Sequence, residues 1–591
     1  MGSKKFYNFL LLPVLIICLV FSMVVSCGTP GTGRSSQAAS EEDAGAAEGD
    51  EGEYGPEGGA GTAEAEIEAP ETVPVKIWLE DIIPEAVKDM LAPFMEDNEE
   101  LEPVQDREEA EVLLEMVPAG TAAGGYGATR ELDMSYVIAP ALPFFSLADS
   151  IEWEDFRAWW SGDDGALACT PGGEAVPLLE LSGTDYDLLV KMLGDPGNQN
   201  ILITDRQAAS AVPGEESTSF FIVPFDMISK ELKVLEINGL SVFDRELRLE
   251  DYPFAFAVRL SGDDAGMVDD VYSRIGDASY TNRDVSRMTT LMMTGVTAMA
   301  RFKNIGRKMD EMGVLYPALQ IADILRSADI THISNEIPFV EGCSSEDRFP
   351  YMCSDPSYME LLRYVGTDVV ELTGNHMNDY GGEWMLYTIG LYEGEGWPYF
   401  GGGKDLEDCF SPAVLESNGN RFAFLGFNWW GPEYAWAAED RPGSSPGPGE
   451  EYFARFEEKV RELKSQGYIV VFTFQYLESE SYSPVSQQVT DFRRMIDAGA
   501  DIVSGSQSHY PMGVELYEHG FINYGLGNLF FNMRDIPGLK QGIIAEHVIY
   551  DGRHINTVLI TTMLEDLSQV RLTTPEERAE LLDLIFEGSI R

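Results

Sequence analysis

From Met288 onward, short apolar runs alternate with segments of helical period, and run after run ends in a glycine or a polar cluster. A chain written this way folds as mixed α/β, with strands and helices in separate layers about a shared core. RMTTLMMTG (287–295), DITHISNEIPF (329–339), RFAFLGFNWW (421–430) and YIVVFTFQY (468–476) are the strand-like runs. YPALQIADILRSAD (316–329) has the spacing of an amphipathic helix, and Pro484 starts another in which Val489, Phe492 and Ile496 share one face. GIIAEHVIYDGR and HINTVLITTML close the region as paired strands.

One strand end carries the densest chemistry. TGNHMNDYG (373–381) follows the apolar run Asp368–Leu372 and sets Asn375, His376 and Asp379 between two glycines, Gly374 and Gly381. Glycine lets the backbone turn sharply, and in α/β folds the strand ends are where ligands gather. Amide oxygen, imidazole and carboxylate can ligate a first-row metal, and the last two can also move protons. A capped helix start with a structural histidine fits the same letters. Other strand ends add Glu336, Gln475, Ser506–His509 and Asn528.

The formal net charge is −60, from 100 acidic against 40 basic residues. Phosphate backbones would be repelled, so nucleic acid is excluded as a partner. Lys4 and Lys5 precede an apolar run from about Phe9 to Val25, which ends in Val24-Val25-Ser26-Cys27. A basic start, an apolar core and small residues before the cut predict a secretory signal. The arrangement resembles a bacterial lipobox, which implies lipidation of Cys27 and attachment to the membrane, on its periplasmic or outer side. Residues 28–72, rich in Gly, Ala and Glu, read as a disordered acidic tether. After export, Cys343 and Cys353 are placed to close the intervening SSEDRFPYM segment as a disulfide, with two loop thiols as the alternative.

Order is expected from Val73. VPVKIWL (73–79), AEVLLEMVP (110–118), MSYVIAPALPFF (134–145) and TSFFIVPFDMI (218–228) read as strands, and Pro84 opens a helix through Met95. In IEWEDFRAWWSGD (151–163), Trp159 and Trp160 read as core in preference to a ligand platform. The running order resembles the periplasmic solute-binding fold, an α/β domain over 73–270. The charged stretch from about Ser261 to Arg287, partly helical at MVDDVYSRI, reads as the connection to a second domain over 285–591.

The phrases of that second domain, in their order and spacing, resemble the CapA family of capsule and poly-γ-glutamate synthesis. TGVTAMAR (294–301) keeps the family's Gly295 and Arg301, SNEIP (334–338) keeps Glu336 and Pro338, and Asn375, His376, Asp379 and Gly381 are intact. IDAGADIVSGSQSHYPMGVELY (496–517) and NYGLGNLFF (523–531) continue the match. The resemblance implies a four-layer α/β/β/α metallophosphoesterase-like sandwich. It also implies catalytic roles for His376 and Asp379, and metal ligation by Glu336, Asn375 and His509. Substrate contacts would come from Arg301, Gln475, Gln507 and Asn528. Three family ligands are replaced: the opening Asp is Val296, and two His positions are Gln475 and Gln507. A paired-metal centre needs bridging carboxylates, so at most one divalent ion (Mn, Zn or Fe) is expected.

Two functions follow from these observations. One is an envelope lipoprotein for synthesis, export or trimming of an anionic polymer such as poly-γ-glutamate, acting as a metal-dependent hydrolase or transferase. The other is a non-catalytic scaffold that binds a polymer or small envelope ligand through a degenerate site.

Overall fold

Two sheets face each other across the second half of the chain. The first runs in the order Tyr399–Phe400, Val369–Glu371, Ile330–Asn335, Met288–Thr294, Gln541–Tyr550, Arg553–Glu565 and Gln569–Leu572. The second runs Ala413–Ser417, Asn420–Asn428, Ile469–Gln475, Ile502–Ser506, Gly520–Asn523 and Val514–Tyr517. The computed structural model describes residues 73–96, 98–122, 124–167, 177–204 and 219–591. The apolar leader, Cys27 and the acidic tether lie outside these residues. Among the described residues no helix is long and apolar enough to cross a membrane.

The period-two pattern explains the layering, because successive side chains of a strand point to opposite faces. Leu291, Met293, Ile330 and Val369 meet Phe422, Phe424, Val471 and Ile502 between the sheets. Their neighbours Met292, Ile333 and Val370 turn outward onto Leu325, Leu361, Leu362 and Ile389 of the first helical layer. On the far side Ala423, Leu425 and Phe472 meet Phe453, Phe456, Val460 and Met495, from the helices Glu450–Ser465 and Ser486–Ala498. The result is the expected α/β/β/α sandwich. Strands Met288–Thr294, Ile330–Asn335 and Val369–Glu371 run parallel, as do Asn420–Asn428, Ile469–Gln475 and Ile502–Ser506. Their carboxyl ends therefore collect along one edge. The helix expected over 316–329 is interrupted: a 3₁₀ turn at Tyr316–Ala318 is followed by a short helix, Ala322–Arg326.

The first half has its own mixed sheet, with Val75–Leu79, Val112–Pro118, Ala255–Gly262, Ala128–Pro143 and Ser219–Pro224 in consecutive positions. Helices Glu85–Glu96, Trp153–Trp160, Gly183–Leu193 and Ala265–Ile275 accompany it. Trp159 and Trp160 are fully buried beside Phe156 and Phe220, so they are core. The stretch read as a connection is instead integral to this half. Val268, Val271 and Ile275 of its helix enter the core, Ser279–Thr281 pairs with Asp133–Ser135, and Asn282 caps Val137. Its charges lie on the outward face of a helix whose inner face is apolar.

Residues Thr72–Arg591 form one compact unit. Met288, Val548, Tyr550 and Ile555 of the sandwich belong to the apolar core of the first half. In the other direction Phe144 enters the inter-sheet layer, edge-on to Phe521 at 5.5 Å, while Phe145 meets Phe586 at 5.5 Å.

Candidate functional site

The collected strand ends build the site. Glu336 immediately follows strand Ile330–Asn335, and Asn375, His376 and Asp379 follow Val369–Glu371. Gln475 ends its strand in the opposite sheet, and Gln507 and His509 follow Ile502–Ser506. Gly374 makes the first approach feasible: a Cβ there would stand 2.5 Å from the backbone of Glu336. Gln507 and His509 have φ of 76° and 58°. Two non-glycine residues held left-handed within three positions carry a local cost that the surrounding contacts must offset, a pattern that clusters at functional loops.

The two sheets are joined by amides. Gln475 Nε2 donates to Asn375 Oδ1 at 3.2 Å and to Gln507 Oε1, while Ser506 Oγ donates to Gln475 Oε1 at 2.7 Å. His376 Nδ1–H donates to Asp379 Oδ2 at 2.7 Å, which leaves Nε2 with a free lone pair. Asp379 is itself fixed by the Met352 N–H at 2.8 Å and by the Tyr434 hydroxyl at 3.2 Å. On the other side His509 Nδ1–H donates to Asn528 Oδ1 at 2.9 Å, and the Asn528 amide donates to the carbonyls of His509 and Leu539. Here too Nε2 is left free.

Electrostatics divide the two imidazoles. Burial works against a charge on His376, but the bond to Asp379 and the Glu336 charge outweigh it, so its pKa is raised. Burial pushes His509 down to about 4, so it is neutral at physiological pH. Glu336 is pushed up to about 7, mainly by burial, with the His376 charge opposing and the Asp379 and Glu478 charges adding to the rise. Its Oε2 is buried without a hydrogen-bond partner. A partly buried histidine–carboxylate pair beside an acid that titrates near neutrality has the parts for general acid–base work.

A metal centre is a separate question. Val296, at the position of the family's opening Asp, lies in an apolar cluster with Ala298, Ile337, Met352 and Phe531. With Gln475 and Gln507 engaged by other side chains, the residues do not fit a paired-metal centre. Among the described residues, the His, Cys, Asp and Glu group whose ligand atoms converge within 4.8 Å is Cys343, Asp347 and Cys353. Those two cysteines are joined to each other, as the sequence led one to expect.

Arg301 stands apart from the cluster. Its guanidinium is held by Asp310 at 3.0 Å, Asp355 at 2.6 Å and the Cys343 carbonyl at 3.0 Å. Lys303, which sequence reasoning missed, is the cation of the site. It heads helix Asn304–Met312, and burial lowers its pKa against the opposing Glu336 charge; its own charge is felt at both His376 and His509. Tyr434 was missed as well, because the loop that carries it is tied on by Asn378, whose amide donates to the carbonyls of Tyr434 and Pro442. Glu480 pairs with Arg534, and His332 is a satisfied core histidine, bonded to Glu371 at 3.1 Å and to the Thr294 N–H at 3.3 Å.

Comparison with known proteins bears on the sandwich. Residues 290–533 match the model of the bacterial capsule synthesis protein PGA_cap. The chain is 25% identical over 286 residues to a capsule biosynthesis protein, CapA, of Bacillus anthracis, a match covering 48% of this chain and 69% of that one. It is 26% identical over 235 residues to a PGA biosynthesis protein, CapA, of Bacillus subtilis, covering 39% and 61%. A crystal structure of an ABC-type phosphate transport receptor from Vibrio cholerae aligns over 34% of this chain and 93% of its own. With 7% identity and a TM-score of 0.28, that likeness carries no argument. The match to the bacterial capsule synthesis protein model PGA_cap thus lies within the sandwich and spans the strand-end site from Glu336 to Asn528.

Proposed function

We infer that the protein is an exported accessory in the synthesis of an extracellular polymer, poly-γ-glutamate, anchored to the membrane by a lipidated Cys27; its relatives are named for capsule and PGA biosynthesis. Its site cleaves or transfers a γ-glutamyl amide of that polymer. One observation carries the reading: the His376–Asp379 pair is set at a junction of strand ends with Glu336 buried beside it. His376 Nε2 takes a proton from water or an acceptor amine as it attacks the carbonyl, and Asp379 stabilises the imidazolium that forms. Glu336, protonated up to about neutral pH, donates to the departing nitrogen. Lys303 faces the carboxylate of the glutamyl unit. The amides of Asn375, Gln475 and Gln507 orient the chain.

The test is incubation of poly-γ-glutamate with the wild type and with H376A, followed by size analysis of the polymer. The wild type should shorten or re-end it, and H376A should lose turnover by about 10²-fold or more. Equal rates would sink the catalytic role and leave the alternative of a scaffold that holds polymer.

A second reading rests on the unpartnered Oε2 of Glu336 and the free Nε2 atoms of His376 and His509. With the Asn375 oxygen, these would hold a single divalent ion (Mn, Zn or Fe) once drawn together. The ion would polarise the scissile carbonyl or phosphoryl oxygen.

A further inference from the structure

Aromatic surface gathers in solvent beside the strand-end site. Six Phe, Tyr or Trp side chains are exposed among the described residues, and four of them lie on two loops there: Phe349, Tyr351, Trp430 and Tyr434. The other two, Tyr126 and Tyr272, belong to the first half. Phe349 and Tyr351, 69% and 52% exposed, sit in the segment closed by the Cys343–Cys353 disulfide. Phe349 meets the His376 ring edge-on at 6.5 Å. Trp430 and Tyr434 sit in the loop that follows strand Asn420–Asn428. The Tyr434 hydroxyl reaches Asp379 and lies within electrostatic reach of Tyr351, so the two loops approach each other over the His376–Asp379 pair.

Fixed backbone presents these rings. Trp430 is bracketed by the Trp429 N–H, which donates to the Gln475 carbonyl at 2.8 Å, and by the Gly431 N–H, which donates to Asn428 Oδ1 at 2.7 Å. Trp429 itself stacks on Tyr476 with ring centroids 5.7 Å apart. Of two adjacent indoles, one is packed and the other is left in water. In the facing loop the Met352 N–H, next to Tyr351, is tied to Asp379. Apolar surface held in water adds nothing to the core, and a cluster of it at the rim of a polar site marks a binding surface.

Its occupant has to be held without net electrostatic attraction. The chain carries −60, a polyanion is repelled by the average field, and Lys303 is the cation of the site. Uncharged rings hold an anionic chain by its neutral parts. In a γ-linked glutamyl chain each carboxylate sits directly on the main chain, and a run of two methylenes and an amide plane separates it from the next. Such a run lies flat on an aromatic face. An α-linked chain of the same charge has a compact main chain whose methylenes lead only to carboxylates.

We propose that Phe349, Tyr351, Trp430 and Tyr434 form a subsite that grips poly-γ-glutamate beside the amide presented to His376, and that their fit to the methylene–amide run selects the γ linkage over the α. The subsite rests on polyglutamate being the ligand of the strand-end site, whether that site cuts the polymer or only holds it.

The experiment is fluorescence anisotropy of end-labelled poly-γ-glutamate with the full chain, in mild detergent at about 150 mM salt, where the screening length is about 8 Å. All proteins carry H376A so that the polymer stays intact. Adding F349A/Y351A should weaken binding at least ~10-fold. Both side chains are exposed, so the fold should be unchanged, which circular dichroism checks. Y434F, which keeps the ring and loses the hydroxyl, should bind as the parent does, whereas Y434A should bind more weakly. Poly-α-glutamate of matched length should bind the parent at least ~10-fold more weakly than the γ polymer and should not respond to F349A/Y351A. Equal affinity of the parent and F349A/Y351A for the γ polymer would overturn the subsite and leave the polymer as ligand of the strand ends. Equal affinity for the α and γ polymers would overturn the linkage selection. A parent that binds no γ polymer would remove polyglutamate as the ligand, and the subsite with it.

Discussion

Glu336 is buried with one oxygen unpartnered and its pKa pushed up to about 7. A carboxyl whose folded pKa lies above its unfolded value favours folding most when protonated. Its contribution is complete below about pH 4.3 and is lost as pH rises through 7. At about 1.36 kcal/mol per unit, the loss is on the order of 3 kcal/mol. E336Q, which cannot ionise, should escape it. In urea unfolding at pH 5 and pH 8, the stability of E336Q relative to wild type should improve with pH; a difference independent of pH would mean that the carboxyl is not desolvated in solution. Residues of this kind were half legible in the sequence. Glu336, His376 and His509 could be read because each follows a strand-like run. Lys303 could not, because it heads a helix and no strand pattern points to it. Arg301 invited a ligand role, yet its acidic partners, Asp310 and Asp355, come from a helix and a loop whose approach no local pattern reveals.

The strap between Cys343 and Cys353 acts one level up. Within it Asp347 accepts from the Tyr380 hydroxyl at 2.6 Å, Phe349 meets His376 edge-on at 6.5 Å, and the Met352 N–H holds Asp379. Closing a loop of this length restricts the unfolded chain by about 2–3 kcal/mol. The C343S/C353S variant should lose about that much stability in urea unfolding. Any turnover that depends on His376 should fall with it, because Asp379 loses its backbone donor. A variant as stable and as active as its parent would show that the surrounding contacts hold the segment unaided. Elements were easier to foresee than their attachments. The strands Ala413–Ser417 and Asn420–Asn428 are joined by Asn418–Gly419, both at positive φ, 51° and 76°, which that dipeptide tolerates. The stretch 261–287 misled because its acidic face is more conspicuous in the letters than the Val268, Val271 and Ile275 stripe beneath it.

For the whole molecule, the charge of −60 sets the sign of a salt effect. A polyanion such as poly-γ-glutamate approaches against the average field, and the only site cation described is Lys303. Raising salt from 20 to 300 mM, trial concentrations that shorten the screening length from about 20 Å to below 8 Å, should therefore speed association. Stopped-flow mixing with labelled polymer would measure this; a rate that falls with salt would require a basic surface among residues outside those described. The fold class was readable because alternation of apolar runs survives any detail of docking, whereas the seam between the halves depends on residues more than 300 positions apart. At that seam Phe144 fills space between the sandwich sheets and Tyr550 fills space in the first half. The two halves are thus not interchangeable cassettes. A recombinant chimera that grafts this sandwich onto another partner, or evolution doing the same, would inherit a hole on each side of the splice and would have to find new aromatic plugs before it could find a new role.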